Sequence, residues 1–254
     1  MRDPVAVFDA VFRSELGKGR LPRAERVWVE GLLCALGDVA GKDVLEAGSG
    51  SGVLSLELAR RGAKVALLDR SPAALELSRQ VFAAARLPGR FVAGDIFEVP
   101  FPANSFDAVW SFGVLEHYTR REAAAALREM ARVTKPGGLV VAGVPYSRAL
   151  FYRVGKWWFG ICGAWEYGPE RPWRTARGVV PPGCSLEREF LADLAGQAAF
   201  LPGQTGRMAA RLLRLAASQP AMRRAALRVL GGYLLVAVMQ KGGHLGREQG
   251  GGTA

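Results

Sequence analysis

Residues 44 to 52 read Val-Leu-Glu-Ala-Gly-Ser-Gly-Ser-Gly, an apolar run that opens into three alternate glycines. A strand ending in such a turn and continuing into a helix lets backbone approach a ligand closely. It also aims the free N–H groups of the helix start at an anionic group. Glu46, Gly48, Ser49, Gly50 and Gly52 are therefore candidate cofactor residues, suited to a nucleotide or a carboxylate-bearing cofactor. The dinucleotide fingerprint G-x-G-x-x-G is not completed, because Val53 stands where the third glycine belongs; this favours a different adenosine cofactor. Asp69, in Leu-Leu-Asp-Arg-Ser, lies 21 residues after Gly48, the spacing at which a strand-end carboxylate accepts hydrogen bonds from both ribose hydroxyls, and Arg70 adjoins it. Gly94-Asp95-Ile96 offers an acidic acceptor for an adenine amino group with an apolar wall beside it. His117 is a candidate general base, since an imidazole titrating near pH 6.5 suits that task; packing, or a bond to Glu116, is its other reading.

These residues need a scaffold that brings strand ends together. From residue 43 the chain alternates short apolar runs with helix-period segments: strands at 43–47, 64–68, 90–93, 106–110 and 139–144, and helices at 53–61, 72–86 and 121–133. Five such units in about a hundred residues predict a doubly wound, mostly parallel α/β sheet of the Rossmann-like kind. The three candidate loops then fall at the carboxyl ends of consecutive strands, where open α/β sheets bind ligands. Residues 1–40 read as an N-terminal helical cap, 41–144 as the cofactor core and 145–185 as an aromatic-rich insertion after the fifth strand. Residues 186–241 read as C-terminal helices and a last strand, and 242–254 as a Gly-rich tail. In that last part, a helix is expected over 186–197, two helices divided by Pro220 over 206–230, and the strand over 232–240.

The chain has 254 residues, enough for one full-sized domain, and 34 Lys and Arg against 23 Asp and Glu. The surplus is lopsided: residues 1–146 hold 19 basic and 17 acidic side chains, whereas 147–254 hold 15 and 6. An anionic partner is implied for the second part, among nucleic acid, lipid headgroup and phosphate, unless coding bias alone produced the arginines. Cys34, Cys162 and Cys184 are scattered, which implies no disulfide framework or zinc site and a reducing, cytoplasmic setting. The first residues carry charges through their apolar stretch and read as no signal peptide. The apolar run 229–239 is about half of the roughly 20 residues a membrane span needs.

The segments VLEAGSGSG, LLDRS, AGDIFEVPFPANSFDAVWSFGVLEHY and ARVTKPGGLVVAGVPY resemble, in order and spacing, the successive motifs of the class I S-adenosylmethionine-dependent methyltransferases, especially the branch acting on small molecules and lipids. The resemblance covers about residues 40 to 146. It implies that Glu46, Gly48 and Gly50 hold the methionine end of S-adenosylmethionine, Asp69 the ribose, and Asp95 with Ile96 the adenine. Ser111 would line the methyl-donor pocket, and S-adenosylhomocysteine would be the product. Some ubiquinone-pathway O-methyltransferases of this family carry E-x-x-E-H at this point and bind a metal through it. Here Gly113 stands at the first acidic position, and no metal is expected. The C-methylating quinone enzymes carry Arg-Asn in place of Glu116-His117. The Asn/Asp-Pro-Pro-aromatic motif of base-amino methyltransferases is replaced by Ser111-Phe112-Gly113-Val114, which argues against that chemistry.

The insertion supplies the expected acceptor side. Tyr146, Tyr152, Trp157 and Trp158 are candidate lid and acceptor-pocket residues for a lipophilic or aromatic small molecule, the alternative being a satellite core. Arg207, Arg211 and Arg214 share one face of the helical segment 206–230, with Leu212, Leu213 and Leu215 as its apolar surface. That pattern fits peripheral contact with an anionic membrane, at the inner face for a cytoplasmic protein, and equally a solvated arginine face over packed leucines. RNA-directed methylation and a non-catalytic cofactor-binding domain are the rival readings; no RNA-binding module is recognisable, so nucleic acid ranks below a small-molecule or lipid acceptor.

Overall fold

The computed structural model describes residues 4–17, 21–22, 26–163, 165 and 168–243. Parts of the expected N-terminal cap and aromatic-rich insertion, and the tail from 244, lie outside the described residues.

Two helices, α1 (Pro4–Gly17) and α2 (Arg26–Leu36), precede an alternating core. The core runs β1 (Asp43–Ala47), α3 (Val53–Ala59), β2 (Lys64–Asp69), α4 (Pro72–Ala85), β3 (Arg90–Ala93), β4 (Phe106–Phe112), α5 (Arg120–Val133) and β5 (Thr134–Pro145). After it come α6 (Leu150–Ile161), β6 (Cys184–Ala192), α7 (Gly203–Ser218), α8 (Pro220–Leu230) and β7 (Leu234–Lys241). The seven strands form one sheet in the order β3-β2-β1-β4-β5-β7-β6, parallel from β3 through β5 and antiparallel at β7 and β6. This is the doubly wound, mostly parallel sheet that the alternation predicts.

β1 is apolar but for Asp43 and Glu46 because apolar side chains from both faces of the sheet bury it. The chain leaves β1 for β2 on one side and returns to β4 on the other, so the strand order reverses at β1 and a crevice opens above its carboxyl end. Local chemistry fixes the flanking helices. The Ser71 hydroxyl accepts from the Ala74 N–H at 3.1 Å with Pro72 opening α4, and Thr119 and Glu122 form a reciprocal cap at the start of α5.

One expected element is corrected. Residues 186–197 are not a helix: Cys184–Ala192 is the edge strand β6, pairing antiparallel to β7 with Leu186 opposite Met239 and Phe190 opposite Val236. Its Leu, Glu, Arg and Ala content suits a helix, but β7 would otherwise expose an open hydrogen-bonding edge, and that tertiary demand overrides local propensity. Glu187 and Arg188, exposed on this edge, discourage further strand addition. The fifth strand is also longer than its apolar run, beginning at Thr134 and including Lys135-Pro136-Gly137-Gly138.

Candidate functional site

The turn after β1 is held open by its own backbone. Gly48 has φ 79°, and a Cβ there would lie 2.6 Å from Val114 Cγ2, so both conformation and space demand glycine. Gly52 caps the start of α3 at φ 68°, packed against Leu67 and Ser78. The Asp69 carboxylate ties this turn to the end of β2: Oδ2 accepts from the Gly50 N–H at 2.8 Å and Oδ1 from the Ser71 N–H at 2.9 Å. Burial raises the pKa of Asp69 against the effect of these two bonds. Glu46 is buried and accepts from the Ser55 hydroxyl at 2.6 Å; desolvation pushes its pKa well above the usual carboxylate range.

A cavity of about 700 Å³ opens over these groups, within the roughly 300–1,000 Å³ of small-molecule sites. Of the residues singled out in the sequence, Glu46, Gly48, Ser49, Gly50, Asp69, Arg70, Ile96, His117 and Arg214 line it. Gly52, Asp95 and Ser111 do not. Asp95 Oδ1 accepts from the Phe97 N–H at 3.0 Å and Oδ2 lies 3.6 Å from the Arg70 guanidinium, while the Ser111 hydroxyl donates to the Ala47 carbonyl at 2.7 Å and clamps β4 to β1.

The rest of the wall comes from residues that sequence reading missed. Phe8 and Phe12 reach in from α1, Trp28 from α2, Phe112 from β4, and Phe200 and Tyr233 from the C-terminal part. Trp28 stands edge-on to Phe112 at 6.2 Å between ring centroids, and Phe200 lies 5.0 Å from Tyr233. The Trp28 indole N–H donates at 3.1 Å to Asp193, a buried carboxylate that also caps the Gly196 N–H at 2.7 Å. The expected acceptor residues sit elsewhere. Tyr152 is fully buried behind the wall, packed on Phe200 and Tyr233 with its hydroxyl donating to Glu170 at 2.6 Å. Tyr146 lies against Gly231 outside the cavity lining, and Trp157 and Trp158 are 64% and 47% exposed on α6. Aromatic density placed all four in one segment, but only the packing of α6 decides which face each takes.

His117 lines the cavity with its ring edge-on to Phe8 at 4.9 Å. Desolvation lowers its pKa, so the ring is neutral near pH 7. Behind it Glu116 is buried, its Oε2 without a hydrogen-bond partner among the described residues, and desolvation raises its pKa to about 8. Glu116, His117 and Glu170 bring candidate ligand atoms within 4.8 Å of one another and could hold a cation; the Lys156 ammonium already lies 3.2 Å from Glu170.

A family model described as a methyltransferase domain matches residues 44–138. The demethylmenaquinone methyltransferase of Mycolicibacterium paratuberculosis is 38% identical over 165 residues, covering 61% of this chain and 66% of that protein. The one from Renibacterium salmoninarum is 41% identical over 145 residues, covering 56% of each. The chain thus spans less than two thirds of the length of these curated relatives. Magnesium protoporphyrin IX methyltransferase from Synechocystis, solved with bound S-adenosylhomocysteine, shares the fold at a TM-score of 0.61 and 17% identity, covering 93% of this chain and 97% of that one.

Proposed function

Because this chain belongs to the class I S-adenosylmethionine-dependent methyltransferase family, we propose that it transfers a methyl group from S-adenosylmethionine to a small, apolar or aromatic acceptor. One observation carries the reading. A single cavity joins a glycine turn and strand-end carboxylate on one side to an aromatic box on the other, with a neutral histidine lining the same space.

The residues present fit the cofactor. The Ser49 hydroxyl is buried in the cavity wall with no hydrogen-bond partner among the described residues, a group that a polar ligand would satisfy. Gly48 and Gly50 would hold the amino-acid end of the cofactor with Glu46 beneath them. The Asp69 carboxylate keeps lone pairs free to accept from a vicinal diol, and Ile96 offers an apolar wall to a base. When bound, the cofactor supplies a sulfonium-activated methyl group, so the protein's work is alignment and exclusion of water. Phe8, Trp28, Phe112, Phe200 and Tyr233 would enclose the acceptor, and His117 Nε2 would take the proton that the nucleophilic atom loses as its new bond to carbon forms. The demethylmenaquinone methyltransferases among the relatives support an acceptor of this apolar kind.

The test has two arms. Calorimetric titration with S-adenosylmethionine and S-adenosylhomocysteine is expected to give one site per chain. Incubation with methyl-labelled cofactor and a cell extract is expected to place label in the lipid or small-molecule fraction. Absence of cofactor binding, or label confined to RNA or protein, would overturn the reading.

A further inference from the structure

We propose that α6, α7 and α8 form a docking surface for bilayers that carry anionic headgroups. The three helices share a satellite core in which Phe151 of α6, Leu213 of α7 and Leu227 of α8 pack around Leu194 and Ala198. Each helix carries a second apolar stripe that the core leaves uncovered. On α6 it is Val154, Trp157, Trp158 and Ile161; on α7 it is Met208, Leu212 and Leu215, each more than 60% exposed; on α8 it is Met222 and Val229. The spacing within each stripe is helical, so these side chains line up along their helices rather than scatter singly over the surface.

Charge identifies the occupant. The three helices hold eight basic residues and no acidic one. Lys156 is paired with Glu170, but among the described residues no arginine of α7 or α8 lies within ion-pair distance of a carboxylate. Leucine, methionine and tryptophan stripes beside unpaired arginines are what an interfacial helix needs: the apolar face enters the acyl boundary while guanidinium groups meet headgroup phosphates. RNA would neutralise the arginines yet leave the stripes in water. A second copy of the chain would set like charge against like. Among the described residues no helix is long and apolar enough to cross a membrane, which makes the contact peripheral. The surface also adjoins the cavity, whose wall includes Phe200, from the turn α6 and α7 pack on, and Arg214 of α7 itself.

This surface goes beyond the chemistry assigned to the cavity and is measured separately from it. The full chain is co-sedimented with vesicles of phosphatidylcholine alone and of phosphatidylcholine mixed with phosphatidylglycerol, and S-adenosylmethionine binding is titrated on the same samples. Binding is expected only to the mixed vesicles, weakening as salt rises and falling about fivefold for each of Arg211→Gln and Arg224→Gln. Leu212→Ser with Leu215→Ser, both exposed and so tolerated by the fold, is expected to lower it at least about tenfold. Trp157→Ser is expected to diminish the blue shift of tryptophan emission on vesicle addition. Cofactor binding by these variants should be unchanged. Equal binding to both vesicle types, no binding to either, or RNA binding that the leucine variants leave intact would overturn the proposal, as would a stable dimer that excludes vesicles. Failure of the wild-type chain to bind the cofactor would count against the cavity reading and leave this one standing.

Discussion

His117 Nδ1 lies 3.3 Å from the carbonyl oxygen of Pro169, which fixes the tautomer. A carbonyl only accepts, so Nδ1 carries the proton and Nε2 keeps a lone pair for a substrate proton. The segment that presents Pro169 also supplies Glu170, bound by Tyr152 and Lys156, so the imidazole is oriented from the acceptor side of the fold. Replacing His117 by Ala is expected to lower kcat by about 10²- to 10⁴-fold when the acceptor loses a proton, with cofactor affinity retained. Because burial depresses the pKa of His117, wild-type kcat/KM should rise with pH through an apparent pKa below 6.5 and then level. A pH–rate profile unchanged by the substitution would remove the base assignment.

Asp69 governs the cofactor half. It orders the turn through Gly50 and the start of α4 through Ser71. Asp69→Asn retains one accepting oxygen and turns the other into a donor facing an N–H, and Asp69→Ala loses both. With hydrogen bonds to a charged group worth about 1.5–3 kcal/mol, Asp69→Ala should weaken S-adenosylhomocysteine binding at least about tenfold, with Asn intermediate. Calorimetry reads this directly, and wild-type affinity in the Ala variant would refute the ribose contact.

The glycine turn, Asp69 and Ile96 were legible in the sequence because each sits within a few residues of its own strand end, and strand ends converge automatically in a doubly wound sheet. The aromatic wall was not. Phe8, Trp28, Phe200 and Tyr233 lie on four segments more than 200 residues apart at the extremes, and an aromatic residue facing a cavity has the same local signature as one facing a core. Asp193 was hidden for a further reason: the residues before it read as a helix, whereas the end of β6 delivers its carboxylate to Trp28. Trp157 and Trp158 show the converse, since a cluster of tryptophans in sequence says nothing about which of them the helix buries.

That difference separates two sets of substitutions. Phe200→Ala and Tyr233→Ala, in the wall, are expected to raise acceptor KM about tenfold or more with cofactor affinity little changed, since each removes a buried aromatic contact worth a few kcal/mol. Trp157→Ala, outside the lining, should leave KM for a soluble acceptor analogue near wild type. Steady-state kinetics with such an analogue checks both, and the reverse pattern would restore the tryptophans as acceptor residues.

Glu116 makes the stability of the fold depend on pH in a predictable direction. Its carboxyl is buried, Oε2 has no hydrogen-bond partner among the described residues, and its pKa stands at about 8 in the folded chain against 4.5 for an exposed glutamate. Between these values the unfolded chain has released the proton while the folded chain retains it, so this group's contribution is full below pH 4.5 and is lost progressively as pH rises to about 8. Glu116→Gln keeps the shape without the titration. The variant should therefore gain stability relative to wild type as pH increases, by on the order of 4 kcal/mol near pH 8. Denaturant unfolding of both proteins across that range measures it, and parallel pH dependences would show that Glu116 is not the buried neutral acid described here.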